Sequence, residues 1–310
     1  MTGNESRFHN GPFAGRSLGD AWRLMPAEWT GTAVPCDSAF PLLVKFIFTD
    51  EKLSVQVHPD DVYASRHEGA AGGRGKTEMW YVLRARPGAE VMVGLNPDVT
   101  RRAFERAIGD GTAENCLEHV PMSEGDAIFV PAGTAHTIGA GLVLCEIQQH
   151  SDLTYRVYDY DRRDAQGRAR ELHVEKALEV MRFGKQLGGK IEPVSVRCGA
   201  VAKTFLAACR YFVSEKWEFS ARVSSQSSRE HFDLLVVLEG HGDFDFADES
   251  APYGPAQVWM IPAALGNFEI APQSRTSLLR TYVPASVEEF ERELAAAGVS
   301  ESERSRLVFA

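Results

Sequence analysis

The sequence predicts a mainly β protein made of two small barrels or jelly rolls, with only a few short helices. Three observations lead there. Apolar runs are short and stop at Gly, Pro, Asp or Asn turns. Helix signals are sparse. The two halves of the chain also carry related strand-and-turn patterns, the mark of a repeated β unit.

Taken in order, Leu42–Thr49 (LLVKFIFT) is a continuous apolar run interrupted by one Lys, the pattern of a buried strand. Leu53–His58 (LSVQVH) alternates with period two and ends at Pro59, which has no N–H for a ladder. Glu78–Arg84, Asp126–Pro131, Gly141–Gln148 and Thr154–Asp159 continue the strand series. Thr100 caps a helix over Arg101–Ile108 that stops at Gly109 and Gly111. Glu171–Phe183 carries a helical stripe of Leu172, Ala177, Leu178 and Met181 and stops at Gly184. Near the end Ser286 caps VEEFERELAAAG, whose acidic first turn suits the positive helix terminus.

The repeat is visible in two places. Glu78-Met-Trp-Tyr81-Val-Leu is matched by Asp233-Leu-Leu-Val236-Val-Leu. Gly125-Asp126-Ala-Ile-Phe-Val-Pro131-Ala-Gly133-Thr-Ala-His136 is matched by Ala256-Gln257-Val-Trp-Met-Ile-Pro262-Ala-Ala264-Leu-Gly-Asn267, which puts Asn267 at the His136 position. The polar stretch Arg162–Arg170 reads as the linker, giving domains 1–165 and 166–310.

Composition limits the function. The chain has 310 residues, a net charge of −10 and 44% apolar residues, with ample material for a core. No apolar run approaches the ~20 residues of a membrane-spanning helix, and Met1–Asn10 has no signal-peptide pattern. The acidic balance offers no footprint for nucleic acid, so a phosphorylated metabolite must be met by a few positioned cations. Five scattered cysteines (Cys36, Cys116, Cys145, Cys198, Cys209), with no C-x-x-C pair, read as reduced thiols in a cytoplasmic protein. Oligomeric state is not legible.

Three separated segments offer metal ligands. Alternation along Leu53–His58 sends Gln56 and His58 to one face, Glu78 opens another strand, and His136 follows the turn Pro131-Ala-Gly133-Thr. Two imidazoles, a carboxylate and an amide oxygen form a borderline-hard set suited to zinc, manganese or iron(II). A paired-ligand strand and a Glu, followed by G-D-x-x-x-x-P-x-G-x-x-H, are the pattern of a cupin, a jelly-roll or double-stranded β-helix barrel. From the residues alone, Arg156 reads as a salt-bridge partner and Lys76 as a solvated cation in a loop rich in glycine (Gly69, Gly72, Gly73, Gly75).

A more specific resemblance covers Phe40 to Arg162. FPLLVKFI, LSVQVHPDD, GKTEMWYVL, VPAGTAHTIGAG and TYRVYDYDR occur in the order seen in the short bacterial class I mannose-6-phosphate isomerases, and HNGPFAGRSL (His9–Leu18) is similar too. The resemblance implies a metal-dependent aldose–ketose isomerase that interconverts mannose 6-phosphate and fructose 6-phosphate through an enediolate. It places one Zn2+ per chain on Gln56, His58, Glu78 and His136, and catalytic roles on Arg156 and Lys76. The second half would be a degenerate cupin without a metal. Short members usually begin several tens of residues earlier, and Asn4-Glu5-Ser6 stands where their G-E-S-W-like turn would be.

A proton must leave the carbon beside the carbonyl, and the resulting negative charge needs a Lewis acid and positioned cations. His67, Asp60, Asp61 and a metal-bound water are all candidates for the base. The competing readings are an iron-dependent dioxygenase with the same ligands and a non-catalytic bicupin that binds a sugar phosphate.

Overall fold

The computed structural model describes residues 6–34, 39–69, 73–184, 187–247 and 249–309. Asn4, Glu5, Cys36 and Gly72, named above, lie outside the described residues.

Ten strands of the Leu42–Glu192 unit form two five-stranded antiparallel sheets. They are β1 (Leu42–Thr49), β2 (Val55–Val57), β3 (Glu78–Ala85), β4 (Glu90–Leu95), β5 (Leu117–Pro121), β6 (Ala127–Val130), β7 (His136–Ile138), β8 (Leu142–Gln149), β9 (Tyr155–Tyr158) and β10 (Gly189–Lys190). The sheet orders are β1-β8-β3-β6-β10 and β5-β4-β7-β2-β9. Trp80, Val82, Val93, Ile128, Ile138 and Leu144 from both sheets pack together inside. On the outer face of the second sheet, Val55, Val57 and Tyr155 meet Phe104 and Leu178 from the helices Arg101–Gly109 and Val174–Val180. Burying side chains of this size stabilises the fold by about 1.5–3 kcal/mol each. The alternation of β2 therefore does two jobs: its valines anchor the strand outward, which forces Gln56 inward.

The other unit, Pro193–Val308 with the described part of Met1–Pro41, repeats this plan. Its strands are β11 (Val194–Cys198), β12 (Val201–Ala208), β13 (Val213–Phe219), β14 (Val223–Gln226), β15 (Asp233–Glu239), β16 (Gly242–Phe246), β17 (Glu249–Tyr253), β18 (Val258–Ile261), β19 (Asn267–Pro272) and β20 (Thr276–Tyr282). Their orders are β11-β12-β13-β20-β15-β18 and β14-β19-β16-β17. The run β13-β20-β15-β18 corresponds to β1-β8-β3-β6, and β17-β16-β19-β14 to β5-β4-β7-β2. Both units are cupin barrels, and the repeat read from the two proline-containing turns holds at the level of register: Glu78 faces Val130 as Asp233 faces Ile261.

The division between units differs from the expected 1–165 and 166–310. It falls at Glu192/Pro193, and the first segment belongs with the C-terminal barrel. There the Ala33 N–H donates to Glu230 O (2.7 Å), the Ala263 N–H donates to Trp29 O (2.9 Å), and Trp22 packs edge-on against Phe232. A Cβ on Gly31, which sits at φ +82°, would come within 2.4 Å of Glu230 O. Arg162–Arg170, expected as the linker, is a pinned turn inside the N-terminal unit. Arg162 and Arg170 both donate to Asp159, and the Asp164 carboxylate takes the N–H groups of Gln166 and Arg168.

Other differences are local. β1 is an edge strand, not a buried one, with Phe48 72% exposed. The helix expected over Glu171–Phe183 is confined to Val174–Val180. Short helices at Leu18–Leu24, Asp61–His67 and Glu301–Leu307, capped by Ser17, Asp60 and Ser300, were not expected, because two turns are too few to set up a readable stripe.

Candidate metal centre

β2 lies between β7 and β9, and its register brings three chemical side chains into one row on one face. Gln56 is paired with His136 on one side and Arg156 on the other. His58 follows two residues later on the same face. The turn Pro131-Ala-Gly133-Thr is tied to it by the Gly133 N–H, which donates to His58 O (2.8 Å). Gly133 is required there: φ is +84°, and a Cβ would come within 2.8 Å of Val180 O. Glu78 enters from the opposite sheet at the start of β3.

His58, Glu78 and His136 converge with their ligand atoms within 4.8 Å of one another, and all three are fully buried. Each imidazole is oriented by its Nδ1, which donates to a backbone carbonyl: Leu153 O for His58 (2.7 Å) and Thr134 O for His136 (2.9 Å). That tautomer turns both Nε2 lone pairs inward. Burial, followed by the nearby Lys76 charge, lowers the His58 pKa to about 3, and burial also lowers that of His136, so both rings are neutral. The Gln56 amide nitrogen lies 3.2 Å from His136 Nε2, and rotation of that amide would present its oxygen instead.

Glu78 supplies the test of fit. Its Oε1 is 2.8 Å from His58 Nε2 and 2.7 Å from Lys76 Nζ, yet neither meets it with hydrogen-bonding geometry. A carboxylate oxygen facing an imidazole lone pair at that distance calls for a cation. Burial works against the Glu78 charge, but the Lys76 ammonium holds its pKa well below the usual carboxylate range. One carboxylate, two neutral imidazoles and an amide thus fit a divalent metal.

Lys76 is not the solvated loop cation that its glycine-rich surroundings suggested. It is 5% exposed, 3.0 Å from His58 Nε2, and its ammonium is kept charged by Glu78 and Glu146 against the cost of burial. Its backbone is fixed by Pro59 O (3.0 Å) and by Asp61, whose Oδ1 takes the Gly75 N–H (2.9 Å) and the Gln149 amide (3.0 Å). Of the proton-transfer candidates, Asp60 caps the Asp61–His67 helix by accepting the Tyr63 N–H, Asp61 braces Gly75, and His67 stacks on Tyr63. All three are engaged structurally.

Arg156 does not make the expected salt bridge. Its Nε donates to Ser54 Oγ (3.2 Å) and its Nη1 to Glu171 O (3.1 Å); among the described residues no carboxylate pairs with it.

Three site residues escaped the sequence reading. Trp80 Nε1 donates to Glu78 Oε2 (2.8 Å) and to Glu146 Oε1 (3.3 Å). Glu146 is buried, and desolvation together with Glu78 pushes its pKa up to about 7. Lys45 reaches Glu146 Oε2 (3.3 Å) and donates to Gln148 (2.8 Å). The usable signal was a lone charge inside an apolar run, in LLVKFIFT and again in LVLCEIQ.

No protein-family model matches the sequence. Among curated proteins, mannose-6-phosphate isomerase ManA of Bacillus subtilis (strain 168) is 35% identical over 269 residues, covering 86% of this chain and 82% of the relative. The chain belongs to the mannose-6-phosphate isomerase family. A family member from Streptococcus mutans is 40% identical over 205 residues, 66% of this chain and 63% of its own length. The crystal structure of the mannose 6-phosphate isomerase from Bacillus subtilis has a TM-score of 0.81 at 31% identity and covers 89% of this chain and 85% of its own. Phosphomannose isomerase from Salmonella typhimurium, at 16% identity and a TM-score of 0.66 over 86% of both chains, shares the fold. Family membership and the buried three-residue set together mark a metal-dependent enzyme.

Proposed function

We propose that the N-terminal barrel interconverts mannose 6-phosphate and fructose 6-phosphate through an enediolate, with one Zn2+ held by Gln56, His58, Glu78 and His136. The bound metal supplies Lewis-acid stabilisation of the enediolate oxygens. The protein's own residues do the rest. Lys76, charged and buried beside Glu78, stabilises negative charge that develops on the substrate. Trp80 fixes the orientation of Glu78, and the barrel interior excludes bulk water.

The observation that carries the reading is Arg156. It is half-buried, in the same row as Gln56 and His136, and lacks a carboxylate partner among the described residues. A phosphate is the natural bidentate partner of such a cation. Cys116, Cys145, Cys198 and Cys209 are free, which supports a reducing, cytoplasmic setting.

The test is a dehydrogenase-coupled assay of fructose 6-phosphate formation on chelated and Zn2+-reconstituted protein. Turnover lost on chelation and regained with metal supports the proposal. Saturable binding of mannose 6-phosphate without turnover in the reconstituted protein would establish a binding-only bicupin instead.

A further inference from the structure

The C-terminal barrel keeps a cavity of about 310 Å³, lined among others by Trp217, Ser225, Gln226, His231, Arg280 and Tyr282. Its place is set by the repeat. Gln226 faces Asn267 across β14 and β19 as Gln56 faces His136, which puts Ser228 at the His58 position and Asp233 at the Glu78 position. In the row behind, Arg280 faces Glu215 and Leu235 as Glu146 faces Lys45 and Trp80. The charges of that row are inverted, and a guanidinium stands in the barrel interior. The cavity thus occupies the counterpart of the first barrel's centre with a different donor set.

We propose that this cavity binds one uncharged, hydroxyl-rich molecule, an unphosphorylated monosaccharide or polyol. Charge disfavours an anion. The Arg280 guanidinium is already neutralised by Glu215 (2.7 Å) and Asp233 (3.0 Å), and Lys203 lies between Glu215 (3.8 Å) and Glu293 (3.6 Å). Glu289 adds a further carboxyl to the wall. Among the described residues of the wall, Arg280 and Lys203 are already paired and offer a phosphate no spare charge, in contrast to Arg156 in the first barrel.

The polar groups of the wall point to hydroxyls. Ser225, Gln226 and Ser228 line the cavity with side chains that both donate and accept, and a ligand hydroxyl, which also donates and accepts at once, matches them. The aromatic faces are already in use: Arg280 covers Tyr282 and Trp217, Lys203 covers Trp217, and His231 stacks on Tyr282. Recognition therefore runs through polar edges and not through ring stacking. The volume lies at the lower end of ligand cavities, about 300–1,000 Å³, which suits a single sugar ring and not an oligosaccharide.

The test uses the full chain labelled with 15N at the indole of its five tryptophans, with Trp217→Phe identifying one cross-peak. D-mannose, D-fructose, mannitol, inorganic phosphate and spermidine are titrated separately. The expected result is a saturable shift of the Trp217 indole signal with at least one neutral hexose or polyol, retained in His136→Ala, and at least tenfold weaker binding in Trp217→Phe and Ser225→Ala by calorimetry. Trp217→Phe should keep its mannose 6-phosphate turnover. No saturable shift with any neutral compound, a shift with phosphate or spermidine alone, or loss of sugar binding in His136→Ala would overturn the proposal. Because the indole shift is read in the unmodified chain, and the Trp217 cross-peak can also be assigned by elimination with single Phe substitutions of the other four tryptophans, a folding failure of either pocket variant leaves the test decisive.

Discussion

Replacing Lys76 by Met removes a buried charge while keeping most of the side-chain volume. Nζ lies 2.7 Å from Glu78 Oε1 and 3.0 Å from His58 Nε2, with both partners buried. At an effective dielectric of 20, the Coulomb attraction to the carboxylate is about 6 kcal/mol. Desolvation of both ions offsets much of it, and breaking such a pair by removing one partner costs about 3–5 kcal/mol. With a dication bound, Glu78 keeps a counter-charge and the loss is smaller. The substitution therefore destabilises the apo protein more than the metal-loaded one. By linkage, the variant must bind metal more tightly than the parent. A difference as small as about 1.4 kcal/mol corresponds to tenfold. Competition with a chromophoric chelator should thus show the Zn2+ affinity of Lys76→Met rising at least tenfold, and urea titration should show the apo midpoint falling further than the holo midpoint. Turnover should fall sharply. Weaker metal binding, or equal loss of stability in both forms, would refute the reasoning and make Lys76 a brace for the ligands.

Arg156→Ala should retain metal and global stability but lose about 10²–10³ in kcat, the usual effect of deleting one charge-stabilising donor, as read in the coupled assay with metal analysis alongside. Phe104 is fully buried behind the sheet that carries Gln56 and Arg156; Phe104→Ala should cost about 3–5 kcal/mol in urea unfolding while metal stoichiometry stays unchanged. Burial raises the Asp159 pKa, but its hydrogen bonds from Arg170 and Arg162 hold it below the ordinary value. Its contribution is then present above the unfolded-state pKa of about 3.9 and is lost as pH falls through the lower folded value. Asp159→Asn should lower stability at neutral pH and flatten the decline below about pH 4 in a series of urea midpoints.

What sequence could reveal follows from the range of each signal. The alternation of LSVQVH fixes Gln56 and His58 on one face because period two is local, and the Pro131-Ala-Gly133-Thr turn marks His136 for the same reason. The fate of a charge on a strand is not local. Lys76 is buried because a loop folds onto Glu78 and Asp61. Glu146 and Lys45 meet because β1 and β8 pair across about a hundred residues. Among the described residues Arg156 has no salt bridge, because its neighbour in the sheet, Gln56, is neutral. The boundary was misplaced on similar grounds: Arg162–Arg170 is polar in the manner of a linker, but its arginines are consumed by Asp159. Nothing in residues 6–34 shows from sequence alone that the segment belongs to the C-terminal barrel.

The decisive measurement is metal analysis combined with X-ray absorption at the metal edge, on reconstituted wild type and on His136→Ala. The account predicts one dication per chain with an all N/O shell near about 2.0–2.2 Å containing two imidazoles, and no stoichiometric metal in the variant. Sulfur in the shell, or a signal that His136→Ala leaves unchanged, would contradict it.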